Sequence, residues 1–161
     1  MNRRVFLKKS FLTIALTVFF QGKLFAKVSP LNSLDLLCND LFPLIKDINS
    51  NSAWYIKNVV LNHSRIDLDT QKFIQNGVKW LNEESVTMYG NIYTKLLDEQ
   101  RQTVLKTISQ TKWGDSFIYT ILKYIMESVL GDPIYGINFN QKGWAWVNHE
   151  TGYPRPQKAF L

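Results

Sequence analysis

Apolar side chains recur every three or four residues along several stretches of the chain, the spacing of amphipathic helices. The clearest stretch runs from about Asp115 to Leu130. There Phe117, Ile118, Ile121, Leu122, Ile125, Met126, Val129 and Leu130 form two adjacent i, i+4 rows, a broad apolar stripe. Gly131 ends the pattern, and Pro133 prevents its continuation. Burying each of these side chains contributes about 1.5–3 kcal/mol, so the stripe must face a core or a partner.

Other helices follow from the same periodicity. Leu31, Leu34, Leu37, Leu41, Leu44, Ile45 and Ile48 share one spacing, with Asn32 or Ser33 as cap and a break near Phe42 imposed by Pro43. Asn49-Ser50-Asn51-Ser52 reads as a turn. Trp54 to Leu61 is apolar but too short for its type to be read. Asp69 is the expected N-cap of a helix to about Asn82, carrying Phe73, Gly77, Val78 and Leu81. Glu83 to Tyr93 fits no single pattern. Asp98 is the expected cap of a helix bearing Val104, Leu105 and Ile108, with Glu99 in its first turn. The reading is an all-α domain over residues 27–130.

Beyond Leu130 the character changes. Residues 131–161 hold Gly131, Gly136, Gly143 and Gly152, Pro133, Pro154 and Pro156, and Trp144 and Trp146. An extended, irregular segment of the same domain is expected. Its aromatic content argues against disorder. It either anchors in a partner's pockets or packs over its own helices.

The first 26 residues follow a different logic. Asn2-Arg3-Arg4-Val5-Phe6-Leu7-Lys8-Lys9 precedes an apolar run from Phe11 to Phe20 and a small residue, Ala26. These are the parts of a bacterial signal peptide. The run is about ten residues, short of the roughly 20 that span a bilayer. Arg3 and Arg4, followed by Phe6, Leu7 and Lys8, look like a twin-arginine signal. Cleavage is expected after Ala26, although Leu24 is large where a small residue is preferred. That pathway exports folded proteins through the twin-arginine translocase, so the expected location is periplasmic.

The export segment also accounts for the charge. The 161-residue chain carries +6, but Arg3, Arg4, Lys8, Lys9 and Lys23 all lie within it. Without these five, 14 basic residues face 13 acidic ones. Such a body lacks the footprint of a nucleic-acid binder. The single cysteine, Cys38, rules out an internal disulfide, a Cys-x-x-Cys-His haem attachment and any multi-cysteine metal site within this chain. His63 and His149 have no second histidine at ligand spacing. Asp67 and Asp69 near His63 could form a weak metal site, but they read better as a solvated loop ahead of a helix cap. No dinucleotide or phosphate-binding glycine motif and no nucleophile elbow appears. No catalytic, cofactor-binding or metal residue is assigned.

Gly131-Asp132-Pro133-Ile134-Tyr135-Gly136-Ile137-Asn138, then Gly143-Trp144, then Gly152-Tyr153-Pro154-Arg155-Pro156 resembles the C-terminal signature of the gluconate 2-dehydrogenase subunit 3 family. Tyr93 to Arg101 and the Phe117–Leu130 helix fit the same order. Ile137 stands where the family core has a second glycine; a positive φ there would strain it. The resemblance implies a small helical, non-catalytic subunit of a membrane-associated dehydrogenase complex. In such complexes a flavoprotein carrying FAD oxidises a sugar, sugar acid or polyol, and a cytochrome c subunit often takes the electrons. The small subunit would carry the export signal and support maturation of the flavoprotein. Asp132, Pro133, Tyr135, Gly136, Asn138, Gly143 and Trp144 would shape its partner-binding tail. Two other classes stay open: a free-standing periplasmic enzyme, which a buried His or carboxylate pair in a real pocket would favour, and a structural or membrane-surface protein held by an uncleaved signal.

Overall fold

The computed structural model describes residues 29–48 and 50–159. The expected export signal, with Arg3, Arg4, Phe6, Leu7 and Lys8, lies outside the described residues, as does Asn49 of the expected turn. Seven α-helices and no strand occur among the described residues. They are α1 (Ser33–Leu41), α2 (Ile45–Ile48), α3 (Ser52–Asn58), α4 (Leu68–Tyr89), α5 (Asp98–Ser109), α6 (Lys112–Leu130) and α7 (Lys142–Trp146). The all-α expectation holds. No helix among the described residues is long and apolar enough to cross a membrane.

Helix α6 is the axis of the domain, packing on α1, α3, α4, α5 and α7. One row of its stripe, Phe117, Ile121, Ile125 and Val129, is fully buried, while Ile118, Leu122 and Met126 are half-buried. Leu34 and Leu37 of α1, Ile56 of α3, Ile74, Val78 and Leu81 of α4 and Val104 and Ile108 of α5 meet that row. Shape-matched burial of this kind gives the domain most of its stability.

Several helix boundaries differ from expectation, each for a local reason. The break at Phe42 falls where Pro43 predicts it. At α1, neither Asn32 nor Ser33 makes a side-chain cap; the chain enters through a 3₁₀ turn, Pro30–Asn32, and Ser33 Oγ instead donates to buried Asn82 Oδ1 at 3.0 Å. The N-cap of α4 is Asp67 rather than Asp69: its Oδ1 accepts from Thr70 N and its Oδ2 from Thr70 Oγ1, both at 2.7 Å. These bonds to Thr70 hold the Asp67 carboxyl below the usual carboxylate range. Helix α4 then runs through the ambiguous stretch to Tyr89. Asp98 is the first residue of α5 rather than its cap; the Leu97 N–H is taken by Gln100 Oε1 at 3.0 Å. Helix α6 starts at Lys112, where Thr111 Oγ1 accepts from Gly114 N at 3.1 Å.

Two buried polar clusters tie distant segments together. Arg101 of α5, only 7% exposed, donates through Nε and Nη2 to both oxygens of Asp40 at 2.6 and 3.0 Å, and through Nη1 to Leu96 O. Tyr93 Oη donates to the same carboxylate at 2.7 Å. Burial and that bond push the Tyr93 hydroxyl far above its ordinary range, so it stays protonated and donates. On the other side, Ser50, Ser52 and Ser128 form a buried hydroxyl triangle whose shortest edge is 2.6 Å, fixing the start of α3 to α6. Cys38 is buried in the core, and burial pushes its thiol up to about 12. It is an inert core side chain, out of reach of another chain's thiol.

Candidate functional site: a clasp on the end of the central helix

A helix leaves its last carbonyls without intrahelical partners. The segment after α6 folds back to supply them. Gly131 N bonds Glu127 O at 2.8 Å, the indole Nε1 of Trp144 donates to Leu130 O at 2.6 Å, and Asn138 Nδ2 donates to Gly131 O at 3.0 Å. Gly131 itself is not left-handed, at φ −69° and ψ 170°; the helix ends because the chain turns away. The expected extended segment is therefore compact as far as Trp146, built from 3₁₀ turns at Pro133–Tyr135 and Phe139–Gln141 and then α7.

Each of the seven expected partner-binding residues has a place in this clasp. Asp132 Oδ1 accepts from Ile134 N at 3.0 Å and Arg155 Nη2 at 2.7 Å. The backbone bond from Ile134, and secondarily Arg155, holds its carboxyl below the ordinary range. Pro133 opens the turn that this Asp cap starts. Tyr135 is half-buried and closes the turn. Gly136 sits at φ 72°, where a side chain is strained, with the Trp54 ring beside it. Asn138 is fully buried and left-handed at φ 47°; its Oδ1 accepts from Gly143 N at 2.8 Å. Gly143 lies so close to α6 that a Cβ would overlap the Val129 carbonyl oxygen. Trp144 is 6% exposed, with the Arg155 guanidinium 4.9 Å over its ring and His149 at its edge.

Ile137 does not strain the signature. The left-handed residues are its neighbours Gly136 and Asn138, and Ile137 itself avoids positive φ. Its side chain is 1% exposed and fills the space that a Cβ at Gly131 would need.

Around the buried clasp lies an apolar rim. Trp54, Phe139, Trp146 and Val147 are exposed, and Trp146 meets Phe42 edge-on at 5.7 Å. A cleft of about 290 Å³ opens between the clasp and the end of α3. Val59, Val60, Ile66 and Ile137 form its apolar part; Tyr55, His63, Arg65, Glu127, Asp132 and Tyr135 supply polar groups. Tyr55 Oη donates to Glu127 Oε1 at 2.7 Å, and burial together with that bond raises the phenol well above its ordinary range. His63 Nδ1 accepts from Arg65 N at 3.0 Å; among the described residues no hydrogen bond joins it to Glu127 or Asp132. Tyr55 and Glu127 are the titratable groups that a hydrogen bond joins in the cleft; among the described residues no histidine or carboxylate pair is hydrogen-bonded there. Nor do three potential metal ligands cluster among the described residues. A shallower groove lies elsewhere, between Trp80, Trp113, Glu83, Glu84 and Thr87.

Sequence reasoning named the signature but not the cleft. The contribution of Tyr55, His63 and Glu127 was hidden because Glu127 lies on α6, far along the chain from Tyr55 and His63.

A helical domain without a strand among its described residues, closed by a Gly/Asn/Trp clasp on one helix end, is the class this chain defines. Residues 33–152 match the family model described as gluconate 2-dehydrogenase subunit 3, and the chain belongs to that family. No curated protein and no solved structure gives a match. The matched span takes in all seven helices and the whole signature except its final Tyr153–Pro156 end.

Proposed function

We propose that the chain is a non-catalytic accessory subunit of a periplasmic dehydrogenase complex, escorting a flavoprotein through the twin-arginine translocase. The family match carries the reading, since the family is described as a third subunit of a dehydrogenase. The substrate, a sugar, sugar acid or polyol, and the FAD belong to the flavoprotein partner; a cytochrome c subunit is the further partner. Arg3, Arg4, Phe6, Leu7 and Lys8 are the export signal.

The partner meets the clasp end. Trp54, Phe139, Trp146 and Val147 are exposed on it or beside it, and exposed apolar side chains grouped together suit a protein–protein contact. Asp132, Pro133, Tyr135, Gly136, Asn138, Gly143 and Trp144 act by holding the shape of that surface. Asn138, Gly143 and Trp144 are buried, so the partner reads the rim they support.

Export tests the escort directly. With Arg3→Lys and Arg4→Lys together, the flavoprotein should remain in the cytoplasm with its FAD bound. Normal partner export in that double variant would contradict the escort role.

A further inference from the structure

The cleft beside the clasp adjoins the surface assigned to the partner. Its volume, about 290 Å³, lies at the bottom of the range for small-ligand pockets, too small for a flavin and suited to one large side chain. Val60 and Ile137 are both 1% exposed and form its floor. The charges around it balance: Glu127 and Asp132 face Arg65, and Arg155 already pairs with Asp132. A charged occupant would meet a like charge on this rim. Glu127 Oε2 and Asp132 Oδ2 make no hydrogen bond among the described residues, so the rim offers acceptors.

An apolar floor, balanced charge and free acceptors select a neutral aromatic group with a hydrogen-bond donor. We infer that the cleft receives a tyrosine or tryptophan side chain of the flavoprotein partner, its ring on Val60 and Ile137 and its donor on Glu127. Tyrosine and tryptophan are enriched among residues that dominate interface energy, and they do so by filling such pockets. The inference rests on the subunit reading proposed above.

Two experiments separate the two claims. In the first, the full chain is titrated with p-cresol and with 4-methylanisole, which has the same ring but no donor, followed by NMR. Saturable shifts at Val60, Tyr135 and Ile137 are expected, with p-cresol bound about tenfold more tightly and that preference abolished by Glu127→Leu, which removes the acceptor. Absence of saturable shifts, or equal binding of the two probes, overturns the inference whether or not the chain is a subunit. In the second, Val59→Trp fills the half-buried mouth of the cleft from within. The wild-type chain should capture the flavoprotein, identified by its flavin spectrum and mass, and the variant should lose it by at least tenfold while melting like wild type. Undiminished capture by Val59→Trp overturns the inference and leaves the subunit reading standing. A wild-type chain that captures no flavoprotein removes the subunit reading instead, and the p-cresol titration still decides the chemistry of the cleft.

Discussion

Upstream of Val129, helix α6 is held by the summed burial of Phe117, Ile121 and Ile125 against four other helices. Downstream, two buried side chains, Ile137 and Trp144, are set in place by single polar contacts: one indole N–H on Leu130 O, one amide bridging Gly131 and Gly143. The two regions share a helix but not a kind of stability. Area burial is spread over many atoms and tolerates change in proportion to volume lost. A clasp of individual bonds and left-handed residues fails at one position while leaving the rest intact. That difference suits the role proposed above, in which a folded body carries an end that presents a shaped surface.

Substitutions on either side should break the comparison in different ways. Phe117→Ala removes a fully buried ring at the crossing of α4 and α6. It should cost about 3–5 kcal/mol in chemical denaturation, lowering body and clasp together. Gly143→Ala forces α7 off the Val129 carbonyl. A cost of about 1–3 kcal/mol is expected, and hydrogen exchange should show it confined to residues 131–155; loss of protection throughout α4 and α6 would erase the distinction. Trp144→Phe keeps one aromatic ring but removes the pyrrole with its donor to Leu130 O. About 1 kcal/mol should be lost, with weaker partner capture at unchanged secondary structure by circular dichroism.

The smallest effect is set by pH. The Asp132 carboxyl is held below its ordinary range, so its contribution is present above the unfolded carboxylate pKa and fades as pH falls through the lowered, folded value. Acid should therefore loosen the clasp, read from the Trp144 indole N–H resonance, and Asp132→Asn should remove that dependence.

How much of this could be read from the sequence follows the same division. The α6 stripe was legible because burial imprints a period on the sequence. The run of α4 past Asn82 was not, because Asn82 and Ser85 are buried polar residues that interrupt the apolar pattern while bonding Val78 O and Leu81 O. The α4 cap was misplaced by two residues because Asp67 and Asp69 are the same residue type, and only the bonds to Thr70 separate them. Nothing local in the sequence marks Arg101 as buried, because its partner Asp40 is 61 residues away. The clasp was recognised as a signature without its mechanism, because the bonds of Asn138 and Trp144 reach carbonyls that only the folded helix end brings near. Ile137 illustrates the limit: a glycine's place taken by isoleucine suggested strain, and the left-handed positions proved to be the residues on either side.

The central claim is that this domain works as part of a larger dehydrogenase. A tagged chain purified from the periplasmic and membrane fractions, with a flavin spectrum and mass identification of what accompanies it, tests this most directly. A flavoprotein in stoichiometric amount is the predicted result. A lone, colourless protein from both fractions would contradict it.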